Sequence, residues 1–472
     1  MQDFDTERWA ARRRPFDALE RRVVQLHLAR PDPTASAALR YALSFARLTQ
    51  IRTADGTDVD VSGPLALHAK WVREALEPTL AGARSLHRAA ARVPELVERT
   101  QRSRASLLEH MPLDRAALEA EVTTRSLAVA SGGGGGAGYV YPGVYEQLER
   151  SGLTPDLMTG TSMGALMSLF RARRRSYDFA ALVAAARRLT WSGVFKVLDT
   201  ANRYGVPAAL RLYLRTALGS LFVGDDGEPL RLSGLEIPLH VVATGIAVDG
   251  FAHDLDYYEH LLDDEVARLG VRAGLGATVK AIGLLREFLS TPESLERIVL
   301  GRDPGTEDFD ALDAAGFSSA VPAVIHYDVL RDDPRMHTLL DELYAATGIH
   351  RLAEGGMTSN VPARVAWETV VSGGLPSGRR NVFVLALDCF SPSVRRPGWY
   401  ALQQAVRSAN VAADRAFSDL YIAHRRTLSP LNVVPSLEDA LAAVRWGSQE
   451  AAEHMPFVRA MCAAIPPLPE PA

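Results

Sequence analysis

The sequence predicts a three-layer α/β domain with a mainly parallel sheet, preceded by an N-terminal helical region. Three observations lead there. Residues 126–170 alternate short apolar runs with helical patterns. Further apolar runs at 239–244 and 381–387 repeat the signature of buried strands. Residues 1–124 show helical periodicity instead.

The organising stretch is 126–170. Residues 126–131 form a short apolar run that ends at glycine, as a buried parallel strand does. Five consecutive glycines follow, Gly132 to Gly136, and then Ala137 and Gly138. Val140, Val144, Tyr145 and Leu148 recur at helical spacing, and Gly152 closes that helix. A second short strand ends at Gly160, and Ala165, Leu166 and Leu169 open another helix.

Each strand-to-helix turn carries a chemical device. Gly160-Thr161-Ser162-Met163-Gly164 fits the nucleophile-elbow pattern, in which a strained turn exposes a serine hydroxyl at a helix N-terminus. The glycine run offers backbone N–H groups, also at a helix N-terminus, to a phosphate or to the oxyanion of an acyl transfer. Either motif alone is weak. Gly133, Gly135 and Gly138 also fit a dinucleotide fingerprint. That reading wants an acidic residue at the end of the second strand, but Asp156 precedes that strand.

In order and spacing, these blocks resemble the patatin-like phospholipase family. They comprise the glycine loop, Gly143-Val144-Tyr145, and the 160–165 elbow. A third block runs Glu354-Gly355-Gly356 to Asn360-Val361-Pro362, and a softer one spans 314–322, ending Ser318-Ser319-Ala320-Val321-Pro322. The resemblance covers roughly residues 125–390. It implies a lipid acyl hydrolase (esterase or phospholipase) with Ser162 as nucleophile and Glu354 as its base, a dyad without histidine. Gly134, Gly135 and Gly136 would form the oxyanion hole, and neither cofactor nor metal is needed. The chain departs from the family at Ala137, where Arg or Lys is usual, and at Glu354, where aspartate is usual.

Composition agrees with a globular hydrolase. The 472 residues suffice for two or more folding units, and 47% are hydrophobic and 23% charged. The net charge of −4 gives no call for nucleic acid. Two cysteines, Cys389 and Cys462, argue against a disulfide framework or zinc site and suit a reduced compartment. The first residues carry no apolar run and no segment reaches 18 uncharged apolar residues. A cytoplasmic protein is therefore expected, with peripheral contact at a membrane surface.

The expected division is a helical region at 1–124, the hydrolase domain at 125–390 with a helical insertion or lid at 250–310, and a helical completion at 391–472 with a proline-rich tail. In the first helix Phe16, Leu19, Val23 and Leu26 mark one face. Arg8, Arg12, Arg13, Arg14, Arg21 and Arg22 crowd the rest, as a solvated face or one drawn to anionic lipid. Helical patterns are expected past Trp191 and through 207–218, a buried strand with His240 as a core histidine at 239–244, and another strand at 431–434. Ser436 with Asp439 should cap a closing helix. His253, Asp254, Asp256 and His260 meet no established metal spacing, and Asp225-Asp226 reads as a solvated turn. Leu275, Val279, Ile282, Leu285, Phe288 and Leu289 form a stripe suited to core packing or a lid over an acyl groove. Two alternatives stay open: a catalytically weak or silent lipid-binding scaffold, and a Ser–His–acid hydrolase using His326, His337 or His350.

Overall fold

The computed structural model describes residues 5–197, 204–206, 208–247, 295–330, 332–390 and 411–468. The chain forms two compact units. The first gathers Met1–Ala128, Trp367–Val384 and Glu453–Ala472, and the second Val129–Ala366 and Leu385–Ala452. Residues 250–294 lie outside the description, and with them the stripe from Leu275 to Leu289 and the group His253, Asp254, Asp256 and His260.

The first unit is helical, as the periodicity predicts. Helix Thr6–Ala29 starts where the Asp5 side chain accepts from Arg8 N–H, and helix Pro33–Ala46 where Asp32 accepts from Ala35 N–H. Strands β1 (Gln50–Arg52) and β2 (Asp58–Asp60) pair antiparallel across the intervening turn. Helices Ala66–Leu80, Val93–His110 and Arg115–Thr123 complete the unit. Phe16, Val23 and Leu26 join Leu39, Leu43, Val72 and Leu76 in its core. The first helix is less amphipathic than its sequence suggests, because part of its charge points inward. Arg13 is buried, donating to Arg380 O at 2.8 Å and Thr49 Oγ1 at 3.2 Å. Glu20 is buried among three guanidinium groups, those of Arg40 at 3.1 Å, Arg47 at 2.5 Å and Arg125 at 2.5 Å. These arginines hold its carboxyl well below the usual range against the opposing effect of burial.

The second unit carries a mainly parallel sheet in a three-layer α/β arrangement. In chain order the strands are β3 (Ser126–Ser131), β4 (Leu157–Thr161), β5 (Phe195–Val197), β6 (Ala208–Leu212), β7 (Leu239–Ala247), β8 (Leu295–Leu300), β9 (Ala323–His326), β10 (Ile349–Ala353), β11 (Val382–Asp388) and β12 (Leu420–Ala423). In the main sheet β7 pairs β4, β10 and β8, and the sheet continues from β4 through β3 and β11 to β12. Every residue of β3, β4 and β11 is buried, which is why these strands read as unbroken apolar runs.

Three local expectations need correction. Residues 208–212 are strand, not helix: β6 pairs β5 antiparallel and β9 parallel, and lateral pairing outweighs the local helical pattern. The described end of the 250–310 insertion is also strand, β8, paired antiparallel along β7. Residues 431–434 form no strand. They turn against the glycine loop, with Asn432 N–H donating to Ser429 O at 2.9 Å. The strand in this region is β12, parallel to β11. The closing helix, Leu437–Cys462, begins as expected: Asp439 N–H donates to Ser436 Oγ at 3.1 Å.

Candidate active site

The geometry starts on β7. On one edge β4 runs parallel to it and ends at the pair Thr161–Val242. β10 runs antiparallel to it and ends at the pair Ala353–Thr244. β8 lies along β7 from Val241 to Ile246 and takes the other edge. β4 and β10 therefore share one edge and meet head to head beside Ala243. The next residues in each chain direction, Ser162 and Glu354, arrive at the same place.

Ser162 has φ 54° and is the only non-glycine residue with positive φ among the described residues. Such a conformation costs about 1–3 kcal/mol and persists only where neighbours enforce it. The two flanking glycines show the crowding. A Cβ on Gly160 would stand 2.5 Å from Ala165 Cα, and one on Gly164 would stand 2.2 Å from Ser131 O. The elbow is less open than the motif implies, for Ser162 is only 8% exposed.

Glu354 is fixed through its backbone. Its N–H donates to Ala320 O at 2.8 Å, and its carbonyl accepts from Thr244 Oγ1 at 2.8 Å. The Ser162 hydroxyl and the Gly356 N–H lie near its carboxylate and favour its charged form. The residue keeps some surface, but carboxylate Oε2 is buried and has no hydrogen-bond partner among the described residues. Burial is the dominant influence. It pushes the carboxyl from 4.5 up to about 8, against the Ser162 hydroxyl and Gly356 N–H that favour the charged form.

The glycine loop closes over this pair. A Cβ on Gly133 would lie 3.2 Å from Ser162 Cβ and 3.4 Å from Glu354 Oε1, so a side chain there would fill the space beside both residues. Gly133 N–H donates to Asn360 O at 3.0 Å, and Gly136 N–H to Pro430 O at 2.9 Å. Of the three expected oxyanion donors, Gly136 is thus committed to the loop's own fold. The N–H groups of Gly134 and Gly135 have no acceptor among the described residues. Ala137 is fully buried, so it brings no charge to this loop.

Several supporting residues were not legible as such. Tyr141 donates its hydroxyl to Gly132 O at 2.9 Å and accepts from Cys389 N–H at 3.0 Å. Thr161 Oγ1 donates to Ser359 O at 2.8 Å, and Ser359 Oγ to Asp414 Oδ2 at 2.5 Å. Tyr141 was hidden as one more helical aromatic. Asp414 lies far along the chain with no motif around it.

The histidines of the alternative triad serve elsewhere. His326 Nδ1 bonds Val206 O, His337 bonds Tyr204 and Leu330 O, and His350 is exposed on β10. His240 is a core residue of β7, and burial pushes its pKa down to about 3. The carboxylates of Asp310, Asp313 and Asp333 converge, but Arg215 bonds all three and occupies the place a cation would take. Asp310 and Arg215 also border a pocket of about 340 Å³ whose lining includes neither Ser162 nor Glu354.

A strained serine at a strand-to-helix turn, beside a carboxylate under a glycine loop, defines a serine hydrolase-like site on a three-layer α/β domain. The model of the patatin-like phospholipase family matches residues 129–367, just over half of the chain, and the chain belongs to that family. The class of activity that follows is hydrolysis of lipid esters. Comparison with curated proteins gives no match. Among the described residues, no helix is long and apolar enough to cross a membrane.

Proposed function

We propose that this protein hydrolyses carboxylic esters of lipids through a Ser162–Glu354 dyad and an acyl-enzyme intermediate. The observation that supports it is the convergence of the strained Ser162 and the Glu354 carboxylate beneath Gly133, where a Cβ would lie 3.2 Å from Ser162 Cβ and 3.4 Å from Glu354 Oε1. Ser162 Oγ attacks the ester carbonyl while Glu354 takes its proton. The tetrahedral oxyanion forms beside the open N–H groups of Gly134 and Gly135 and the N-terminus of helix Met163–Ala172. Glu354 returns the proton to the departing alcohol. Water then attacks the acyl-serine, with Glu354 again the base, and releases the carboxylic acid.

A dyad asks its carboxylate to deprotonate serine directly, so a raised proton affinity is an asset. Its cost is that the base form becomes scarce. With a pKa of about 8, roughly a tenth of the molecules carry the ionised base at pH 7. The rate should therefore rise with pH to a plateau above about 8. A lipid substrate has to be met at an interface, and Arg8, exposed on helix Thr6–Ala29, is a candidate contact. Turnover of a short-chain nitrophenyl ester by wild type and Ser162→Ala tests the reading. Activity in the wild type alone supports it, and equal activity in both removes Ser162 from the mechanism.

A further inference from the structure

The segment 318–320 touches both members of the dyad. Ser318 is fully buried at the end of helix Ala311–Ser318, every residue of which is buried. Its hydroxyl accepts from Ser162 N–H at 2.8 Å and donates to Val242 O on β7 at 2.5 Å. Two residues on, the carbonyl of Ala320 accepts Glu354 N–H at 2.8 Å. Gly355 closes over the same hydroxyl: a Cβ there would lie 2.0 Å from Val242 O and 3.2 Å from Ser318 Oγ.

These contacts meet a specific need. β4 is paired with β7 as far as Thr161–Val242, and the chain then leaves the ladder at a residue with φ 54°. The Ser162 N–H is turned away from its strand partner just where the backbone is strained. The Ser318 hydroxyl spans the gap, because one group can accept from that N–H and donate to the carbonyl of the neighbouring strand.

We infer that Ser318 is a positioning residue for the proposed hydrolysis: its hydroxyl holds the strained Ser162 backbone, while its segment holds the backbone of Glu354. The inference rests on the dyad reading. The backbones that carry both reacting side chains are thereby held by one bracket, and neither can shift without breaking a contact to 318–320. Ser318 itself transfers no proton.

The test is steady-state ester hydrolysis by Ser318→Ala, Ser318→Cys and Ser318→Thr, with kcat normalised to the serine titrated by a phosphonate probe. Alanine removes the acceptor and should lower kcat about 10- to 100-fold, with KM within about 3-fold, because a misaimed nucleophile loses rate and not ground-state binding. Cysteine keeps the shape with a weak hydrogen-bonding group and should be impaired even when its melting curve matches wild type. Threonine keeps the hydroxyl and should recover part of the rate. The midpoint of the pH–rate profile should stay at the wild-type value in all three, because Glu354 remains buried. Wild-type kcat per titrated site in the alanine and cysteine variants would overturn the inference. So would a midpoint shifted towards the ordinary carboxylate range, which would mean that Ser318 acts on the environment of Glu354. An active Ser162→Ala would instead sink the dyad reading itself. An inactive Ser162→Ala beside a fully active Ser318→Ala would sink only the bracket.

Discussion

Replacing Glu354 by glutamine separates chemistry from stability, because the two should move in opposite directions. Glutamine preserves the shape and can still accept the Ser162 hydroxyl, but it takes no proton. Loss of a general base costs about 10²- to 10⁴-fold in rate, so hydrolysis should fall at least a hundredfold. In the folded protein burial raises the carboxyl from 4.5 to about 8. A group whose folded pKa exceeds its unfolded value binds more protons when folded. Its stabilising contribution is thus present at pH 4 and is lost as pH rises from about 4.5 through about 8. At about 1.4 kcal/mol for each pKa unit, ionised Glu354 weakens the fold by at most about 5 kcal/mol at pH 9, and by less given the residue's partial exposure. Glu354→Gln should therefore match wild type in urea unfolding near pH 5 and be the more stable protein near pH 9. Parallel denaturant curves at the two pH values, with initial rates of nitrophenyl ester hydrolysis, check both halves. An active glutamine variant would refute the base assignment. A stability difference that does not change with pH would refute the buried, proton-holding carboxyl.

Glu354→Asp should also lose activity, because the backbone at 354 is pinned on both sides and cannot advance to make up the missing methylene; a rise in its initial rate above wild type would favour the silent-scaffold alternative. Gly136→Ala should impair both folding and hydrolysis, since its Cβ would stand 2.2 Å from Asn432 O; unchanged melting and rate would contradict the packing of the loop. Glu20→Ala should lower stability by about 3–5 kcal/mol, because it leaves the guanidinium groups of Arg40, Arg47 and Arg125 without their shared buried carboxylate; denaturant unfolding measures it, and a change under about 1 kcal/mol would show the charges to be solvated. Sedimentation with anionic vesicles should weaken as salt rises if arginines of helix Thr6–Ala29 meet lipid; equal pelleting with neutral and anionic vesicles rejects that contact.

The elements around Ser162 and Glu354 were legible because each is encoded locally. An apolar run that stops at glycine, a G-x-S-x-G turn and a capped closing helix need no distant partner to be recognised. Ser162 and Glu354 could be named from motif order, but their meeting could not be derived from it. It depends on β4 and β10 approaching head to head along β7, a matter of register between segments far apart in sequence. The same limit hid β6, whose strand form comes from β5 and β9, and the turn at 431–434, shaped by the glycine loop it packs against. Charge was misleading in the first helix for a related reason: Arg13 and Glu20 look solvated until their buried partners are brought in from Thr49, Arg380, Arg47 and Arg125. The glycine loop shows the limit at the scale of one atom. Five glycines advertise free N–H groups, yet only the fold reveals that Gly136 has spent its own on Pro430.

The most direct test of the Ser162–Glu354 dyad is mass spectrometry of the protein after brief exposure to a fluorophosphonate or a slowly deacylating ester. A Ser162–Glu354 dyad predicts a single adduct on the peptide containing Ser162, absent from Ser162→Ala and formed at least a hundredfold more slowly in Glu354→Gln. An adduct on another residue, or one formed at the wild-type rate when Glu354 is glutamine, would contradict it.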